Sequence, residues 1–108
     1  MTDRELLELA AKAAGYDVTY EIGYLTFFRQ DVVGRPVWNP LTDDGDALRL
    51  AVKLEIAVEY RRDVSAAFAY NYARALEVGQ NNKNLDPYAA TRRAIVRVAA
   101  EIGKEMDK

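Results

Sequence analysis

The spacing of apolar residues changes period along this chain, and that change most strongly constrains what it can fold into. From Leu6 to Ala13 apolar residues recur at three- and four-residue intervals, which is the period of one helix face. In residues 16–24 they alternate with polar residues, as they do in residues 56–60, which is typical of half-buried strands. The pattern therefore predicts an α+β domain.

The first predicted helix has recognisable signals at both ends. Thr2 and Glu5 have the spacing of a capping box, in which each residue satisfies a backbone donor of the other. Gly15 is well placed to adopt the left-handed conformation that stops a helix. We therefore expect a helix over residues 3–14.

Two further helices are predicted from their N-terminal signals. The polar cluster at residues 42–44 can cap a helix that continues to Leu54. Asp86 followed by proline predicts the start of a last helix, which should run to about Glu105. Its apolar stripe should include Tyr88, Thr91, Ile95, Val98, Ala99, Ile102 and Met106.

Four strands are predicted between the helices. Residues 16–24 and 25–29 should form a hairpin whose register the pattern leaves open. Residues 56–61 are predicted to form the third strand. Residues 64–74 fit a strand by their alternation, or a helix because their many alanines would tolerate one, and we favour the strand. Residues 79–84 are polar and turn-rich, and we expect them to be mobile.

These elements define one domain spanning residues 1–108. We expect a small, sandwich-like antiparallel sheet of about four strands packed with three helices, in the order α-β-β-α-β-β-α. The chain contains neither cysteine nor histidine, which excludes disulfides, thiolate nucleophiles and the commonest metal ligand and general base. No catalytic motif, cofactor-binding motif or metal site is recognisable, and we expect a non-enzymatic protein.

The charge balance and the N-terminal sequence indicate where such a protein works. Fifteen basic and 17 acidic residues give a net charge of −2, so no general attraction to nucleic acid is expected. The start has no secretory leader pattern, and no apolar run is long enough for a membrane span. We therefore expect a cytoplasmic protein with no membrane association.

Three segments resemble a family of small tailed-phage and prophage proteins described as the phage ABA-sandwich domain. The core of the resemblance is WNPLTDDGDALRLAVKL at residues 38–54, and residues 6–15 and 86–97 also fit. The resemblance implies a phage or prophage origin, expression in a bacterial host cytoplasm and an α/β sandwich. It implies no catalytic residues, and this chain departs from the family in residues 16–35 and 56–84, where its own binding specificity would lie.

Seven tyrosines are the most unusual feature of the composition. Exposed strand tyrosines can anchor a protein partner or stack on bases, whereas the structural alternative is that tyrosine simply suits half-buried strands. We expect at least two of them to be exposed together. The candidates for partner binding are Tyr20, Tyr24, Phe28, Tyr60, Tyr70 and Tyr72.

Charged clusters supply two further hypotheses. Arg92, Arg93 and Arg97 are candidates for binding an anion, although helices commonly carry arginines only to remain hydrated. The acidic residues Asp43, Asp44 and Asp46 could attract a hard cation, but capping and the helix dipole explain them better.

Two functions from different classes remain open. The first is a phage accessory protein that binds a host or phage protein, and modulates or inhibits a host factor. The second is a module that binds single-stranded nucleic acid through strand tyrosines with arginines at the rim. We also expect a homodimer, because a small sheet leaves unpaired edges and the aromatic strands could be covered by a second copy. The alternative is a monomer whose sheet edges are protected by Arg29, Arg61 and Arg62.

Overall fold

The computed structural model describes residues 1–34 and 36–106, which form three helices and six short strands. The order is α1 (Asp3–Ala14), β1 (Val18–Glu21), β2 (Thr26–Arg29), β3 (Val37–Trp38), α2 (Asp44–Lys53), β4 (Ala57–Arg61), β5 (Ala66–Asn71), β6 (Leu76–Asn81) and α3 (Pro87–Glu105). The Cα radius of gyration is 13.4 Å, close to the value of about 13 Å for a compact chain of this length. The prediction of an α+β domain with three helices is confirmed.

The first two helices start as their sequence signals predict. The Thr2 hydroxyl accepts the Glu5 N–H at 3.1 Å, and the Glu5 carboxylate accepts the Thr2 N–H at 3.2 Å, which completes the capping box. Gly15 ends α1 with a φ of +74°. Asp43 caps α2 by accepting the Asp46 N–H at 2.8 Å, within the predicted cluster.

The third helix also begins where predicted, with Asp86 accepting the Ala89 N–H at 2.7 Å. Its apolar stripe is shorter than expected, because Tyr88 and Met106 are 71% and 53% exposed. They lie at the two ends of α3, where the neighbouring elements no longer cover the helix. Nineteen residues make α3 the longest helix of the described chain, and no helix there is long and apolar enough to cross a membrane.

The strands form two antiparallel sheets of three strands each, which corrects the prediction of about four strands in one sheet. Sheet A has the order β1-β2-β3 and sheet B the order β4-β5-β6, each a meander of consecutive strands. The element order is therefore α-β-β-β-α-β-β-β-α. Short connections allow each hairpin to pair locally, and α2 separates the two sheets along the chain.

The two unpredicted strands have weak sequence signals for different reasons. β3 contains only two residues, too few for an alternating pattern to be recognised. β6 includes Gly79 and polar residues that are typical of turns, so the first half of the expected mobile segment, residues 79–81, is strand. The glycine leaves room for the Phe68 ring, because a Cβ atom there would lie 3.2 Å from Phe68 Cε1 across the strand pair.

The predicted single strand over residues 64–74 is also corrected. The chain turns at residues 62–65, runs as β5, and turns again at residues 72–75. Ser65 and Ala75 each end their turn at positive φ, 50° and 55°, and neither glycine nor asparagine marks these positions. Tyr72 consequently lies in a turn rather than in a strand.

The two halves of the chain repeat the same path through the helix and the first two strands, with an offset of 40 positions. Gly15 and Glu55 both leave their helix at positive φ, and the next residues donate equivalent hydrogen bonds back to Ala11 and Ala51. The hairpins then match pair for pair, Val18 opposite Arg29 and Val58 opposite Ala69. Few side chains are shared between the halves, so the sequence alone shows no repeat.

The core is organised around α3, which contacts α1, α2 and all three strands of sheet B. Nine of its residues are buried, including Val96 and Val98 with no exposed surface. Sheet A contributes Phe27 and Trp38, both 2% exposed, with the Tyr16 ring edge-on to the Trp38 ring at 5.8 Å. Trp38, which precedes α2 in the chain, is therefore part of the buried core.

Candidate protein-binding surface

Sheet B has one face toward α3 and one face that carries aromatic and acidic side chains. The inner face includes Ala67, Ala69 and Asn71, which are at most 1% exposed. Because neighbouring residues of a strand point to opposite sides, Phe68 and Tyr70 lie on the other face. We call this side the outer face of sheet B.

The outer face combines a stacked tyrosine pair with two carboxylates. The Tyr70 and Tyr72 rings are parallel within 4°, with their centroids 5.8 Å apart, and Tyr72 is 76% exposed. Glu77 lies directly opposite Tyr70 in the strand pair, and Glu59 lies opposite Phe68. Partial burial, with the negative charges of Glu77 and Glu59, raises the pKa of the Tyr70 hydroxyl.

This arrangement favours a cationic group as the ligand. The electron-rich faces of tyrosine rings attract guanidinium and ammonium groups, and nearby carboxylates can pair with the same cations. Arg61 is the basic residue within β4, and its guanidinium lies 2.7 Å from the Asp63 carboxylate and 3.7 Å from the Glu59 carboxylate, so its charge is matched by two acidic side chains. The outer face is therefore suited to basic and apolar side chains rather than to phosphate.

The remaining aromatic candidates do not join this surface. Tyr20 packs on Phe27 at 4.8 Å with the Arg4 guanidinium 4.1 Å from its ring, so it stabilises the contact between sheet A and α1. Tyr60 is half-buried, and its hydroxyl accepts a hydrogen bond from Asn82 at 2.9 Å.

Tyr24 and Phe28 form a second, smaller aromatic pair in sheet A. Their rings meet edge-on at 5.8 Å, and Tyr24 is 72% exposed while Phe28 is half-buried. Tyr24 lies in the turn between β1 and β2, as Tyr72 lies in the turn after β5. The structure thus gives two separate aromatic pairs, of which the pair in sheet B has the acidic surroundings.

The candidate anion-binding arginines lie along α3 with different partners. Arg92 donates to the Leu41 carbonyl at 2.8 Å and to the Asp44 carboxylate at 2.6 Å, tying α3 to the start of α2. Arg93 and Arg97 share a surface depression on another side of the helix. The Arg93 guanidinium lies 3.0 Å from the Asp3 carboxylate.

Arg97 holds the end of sheet B against the helix. Its Nη1 atom donates to the Gly79 carbonyl at 3.2 Å and to Gln80 Oε1 at 2.9 Å. The Glu101 carboxylate, one helical turn after Arg97, lies 3.6 Å from the Lys104 amino group. These contacts give the three candidate arginines structural roles between elements.

The acidic residues at the start of α2 also bind other groups of the protein. Asp43 caps the helix, and the Asp44 carboxylate binds the Arg92 guanidinium. The Asp46 carboxylate accepts the Asn39 N–H at 2.9 Å and lies 2.8 Å from the Arg49 guanidinium. No group of three or more acidic side chains within residues 1–34 and 36–106 could hold a metal ion. The interpretation of this cluster as capping residues therefore agrees with the contacts.

Sequence reasoning missed a set of exposed apolar residues beside β4. Leu48 and Val52 lie one turn apart on α2 and are 64% and 70% exposed, and Tyr88 on α3 is 71% exposed. Leu48, Val58 and Tyr88 line one groove between α2, α3 and β4. A signal was present, because Leu48 and Val52 are apolar yet lie off the buried face of α2 that contains Ala47, Leu50 and Ala51.

In comparisons with protein-family models, curated proteins and solved structures, no match to this chain was found.

Proposed function

We propose that the protein works by binding another protein through the outer face of sheet B, and that this partner presents basic and apolar side chains. The observation that carries the proposal is the stacked pair Tyr70 and Tyr72 beside Glu59 and Glu77, on a sheet face that α3 does not cover. Aromatic residues in such positions supply much of the energy of protein interfaces.

The resemblance of residues 38–54 to tailed-phage proteins suggests the biological setting. In this proposal the protein is a phage or prophage accessory protein in the bacterial cytoplasm, and its partner is a host or phage protein. Binding would modulate or inhibit the function of a host factor. The outer face of sheet B is built from residues 57–81, inside the segment where this chain departs from the family, and would carry its own specificity.

Single-stranded nucleic acid is the competing ligand. Base stacking on Tyr70 and Tyr72 would bring phosphates close to Glu59 and Glu77, where like charges repel. A mobility-shift assay with single-stranded DNA at low salt tests this alternative. We expect no shift, whereas a shift that disappears as salt increases would favour the nucleic-acid function over the protein-binding function.

A random peptide library displayed on particles and selected on the purified protein tests the protein-binding function. We expect enriched peptides to combine arginine or lysine with aromatic or aliphatic residues. Tyr72→Ser should weaken binding of a synthetic enriched peptide by about tenfold or more, because it removes an exposed aromatic anchor. Glu77→Lys should weaken it as well, because it places a cation beside Tyr70.

Tyr24→Ser is the matched control, because Tyr24 is equally exposed in a turn but belongs to sheet A. Its effect on peptide binding should be negligible. Enrichment of acidic peptides, or loss of binding in Tyr24→Ser instead of Tyr72→Ser, would place the binding surface elsewhere. Failure to enrich any peptide over repeated rounds would count against the function itself.

A further inference from the structure

β4 is an edge strand of sheet B. The strand order β4-β5-β6 leaves one side of Ala57–Arg61 without a partner in the described part of the chain. The opposite edge, β6, differs because Arg97 donates to its Gly79 carbonyl and partly closes it. Unpaired N–H and C=O groups along an edge are a template for another strand.

Exposed apolar side chains lie next to the same edge. Val58 is 40% exposed on the inner face of β4, and it lines a groove with Leu48 and Tyr88, which are 64% and 71% exposed. A strand added to β4 would therefore cover apolar surface while it satisfies backbone groups. The two features are independent, since one belongs to the backbone and the other to side chains of three elements.

We infer that a second copy of this chain adds its own β4 to this edge, antiparallel and about a two-fold axis at Tyr60. In this register Tyr60 faces the partner's Tyr60, and Glu59 faces the partner's Arg61. The two-fold axis repeats the second pairing, so each interface contains two opposite-charge pairs. Residues that face each other across antiparallel strands point to the same side of the sheet, where such pairs interact directly.

The charges of β4 select this register. Glu59 and Arg61 lie on the same face of the strand, 3.7 Å apart between Oε1 and Nε, and both side chains are about half exposed, at 54% and 49%. A register centred on Glu59 would overlap all of β4 but would place the two Glu59 carboxylates opposite each other, which is unfavourable. A register centred on Tyr60 instead places each Glu59 carboxylate opposite the other copy's Arg61 guanidinium, which is favourable.

The resulting dimer has a continuous six-stranded sheet. Both outer faces, each with Tyr70 and Tyr72, lie on the same side of that sheet, because a two-fold axis perpendicular to a sheet preserves its faces. Dimerisation requires no foreign partner, so the mass of the purified protein tests it separately from the proposed function. Closed two-fold dimers are also the commonest soluble assemblies.

Charge reversal tests the register with the protein as its own probe. Sedimentation equilibrium of the wild-type protein should show a mass approaching twice 12.2 kDa at high concentration. Glu59→Arg and Arg61→Glu should each weaken dimerisation by about tenfold or more, since each puts like charges opposite each other twice. An equimolar mixture of the two variants should regain the dimer mass, because every facing pair is again of opposite charge.

Glu77→Arg is the control, because Glu77 lies on β6 at the far edge of the same sheet. It should dimerise like the wild-type protein, and circular dichroism should show that all three variants remain folded. A wild-type protein that stays at 12.2 kDa at all concentrations would overturn the inference. A mixture of Glu59→Arg with Arg61→Glu that remains monomeric would overturn the register.

A disulfide across the axis gives a second measurement that does not depend on charge. The chain has no cysteine, so Tyr60→Cys introduces a single thiol that faces its copy. Facing Cα atoms in an antiparallel pair lie about 4.5–5.5 Å apart, which suits a disulfide. Mild oxidation should link Tyr60→Cys rapidly and Ala57→Cys slowly, because Ala57 lies away from the axis. Equal rates for the two variants would contradict the inferred pairing.

Discussion

Glu5 shows how a single exposed side chain can link stability to pH. The Thr2 hydroxyl and the Thr2 backbone N–H both hydrogen-bond to its carboxylate, and they lower the pKa of Glu5 below its usual value of 4.5. The ionised form is favoured in the folded chain. Its contribution to stability is therefore present above the usual pKa and is lost as pH falls through the lower pKa of the folded state.

Glu5→Gln isolates this effect, because glutamine keeps the capping acceptor but does not titrate. At neutral pH we expect the wild-type protein to be more stable than Glu5→Gln, since the negative charge also favours a helix N-terminus. The difference should shrink as pH is lowered below 4.5. Urea unfolding of both proteins across this range measures it, and a difference that is independent of pH would show that the Glu5 charge contributes nothing.

The positions of the tyrosines explain why the sequence does not distinguish the exposed ones from the half-buried ones. Tyr20 and Tyr60 occupy equivalent places in the two hairpins and are half-buried, whereas Tyr24 and Tyr72 lie in turns and are exposed. Alternation places all four on strands, because it continues through Gly23 in the first turn, and the turn at residues 72–75 contains neither glycine nor asparagine to interrupt it. The expectation that at least two tyrosines are exposed together is met only in part by the stacked pair, because Tyr72 is exposed whereas Tyr70 is half-buried.

At the scale of elements, the contact between α1 and α3 depends on a glycine that carries no local signal. A Cβ atom on Gly103 would lie 2.1 Å from the carbonyl oxygen of Leu9, so the two helix backbones approach too closely for any other residue. Gly103 is fully helical and has no need for positive φ. Its role is close approach between helices.

Gly103→Ala should therefore destabilise the protein by about 3 kcal/mol, even though alanine is the better helix former, because α1 must move away from α3. Gly45→Ala in α2 is the matched control. There the added Cβ meets only the flexible Arg49 side chain and the Asp43 carboxylate at 3.2 Å, and we expect little change. Chemical denaturation of both variants measures the difference, and equal stability of the two would contradict the close-approach role.

At the scale of the whole molecule, α3 packs against both of two similar halves. Each half is a helix followed by a three-stranded meander, and α3 packs on α1, on α2 and on sheet B. Arg92 and Arg97 add hydrogen bonds from α3 to the start of α2 and to β6. Neither half encloses the core without the last helix.

We therefore predict that the two halves unfold together. Trp38 is the only tryptophan and is buried in the first half, so its fluorescence reports that half, whereas circular dichroism reports helices throughout the chain. The two urea transitions should coincide, with the same midpoint and slope. A fluorescence transition that precedes the loss of helix would show that the first half opens separately from α3.

The sequence by itself determined the helices almost to the residue, because caps, left-handed stop residues and helical periodicity act between residues close in the chain. Thr2, Gly15, Asp43 and Asp86 do what their positions predict. Hairpin formation by β1 and β2 also followed from local pattern. The function, the phage setting and the homodimer remain proposals.

Only the tertiary structure decided how the strands divide and which side chains reach the surface. Two sheets instead of one, the strand at Gly79 and the close contact at Gly103 all depend on neighbours far apart in the chain. The same is true of the outer face of sheet B, where Tyr70 meets Glu77 and Phe68 meets Glu59 through strand register. Register is a long-range property, and shifting it by one residue would exchange the two faces of the sheet.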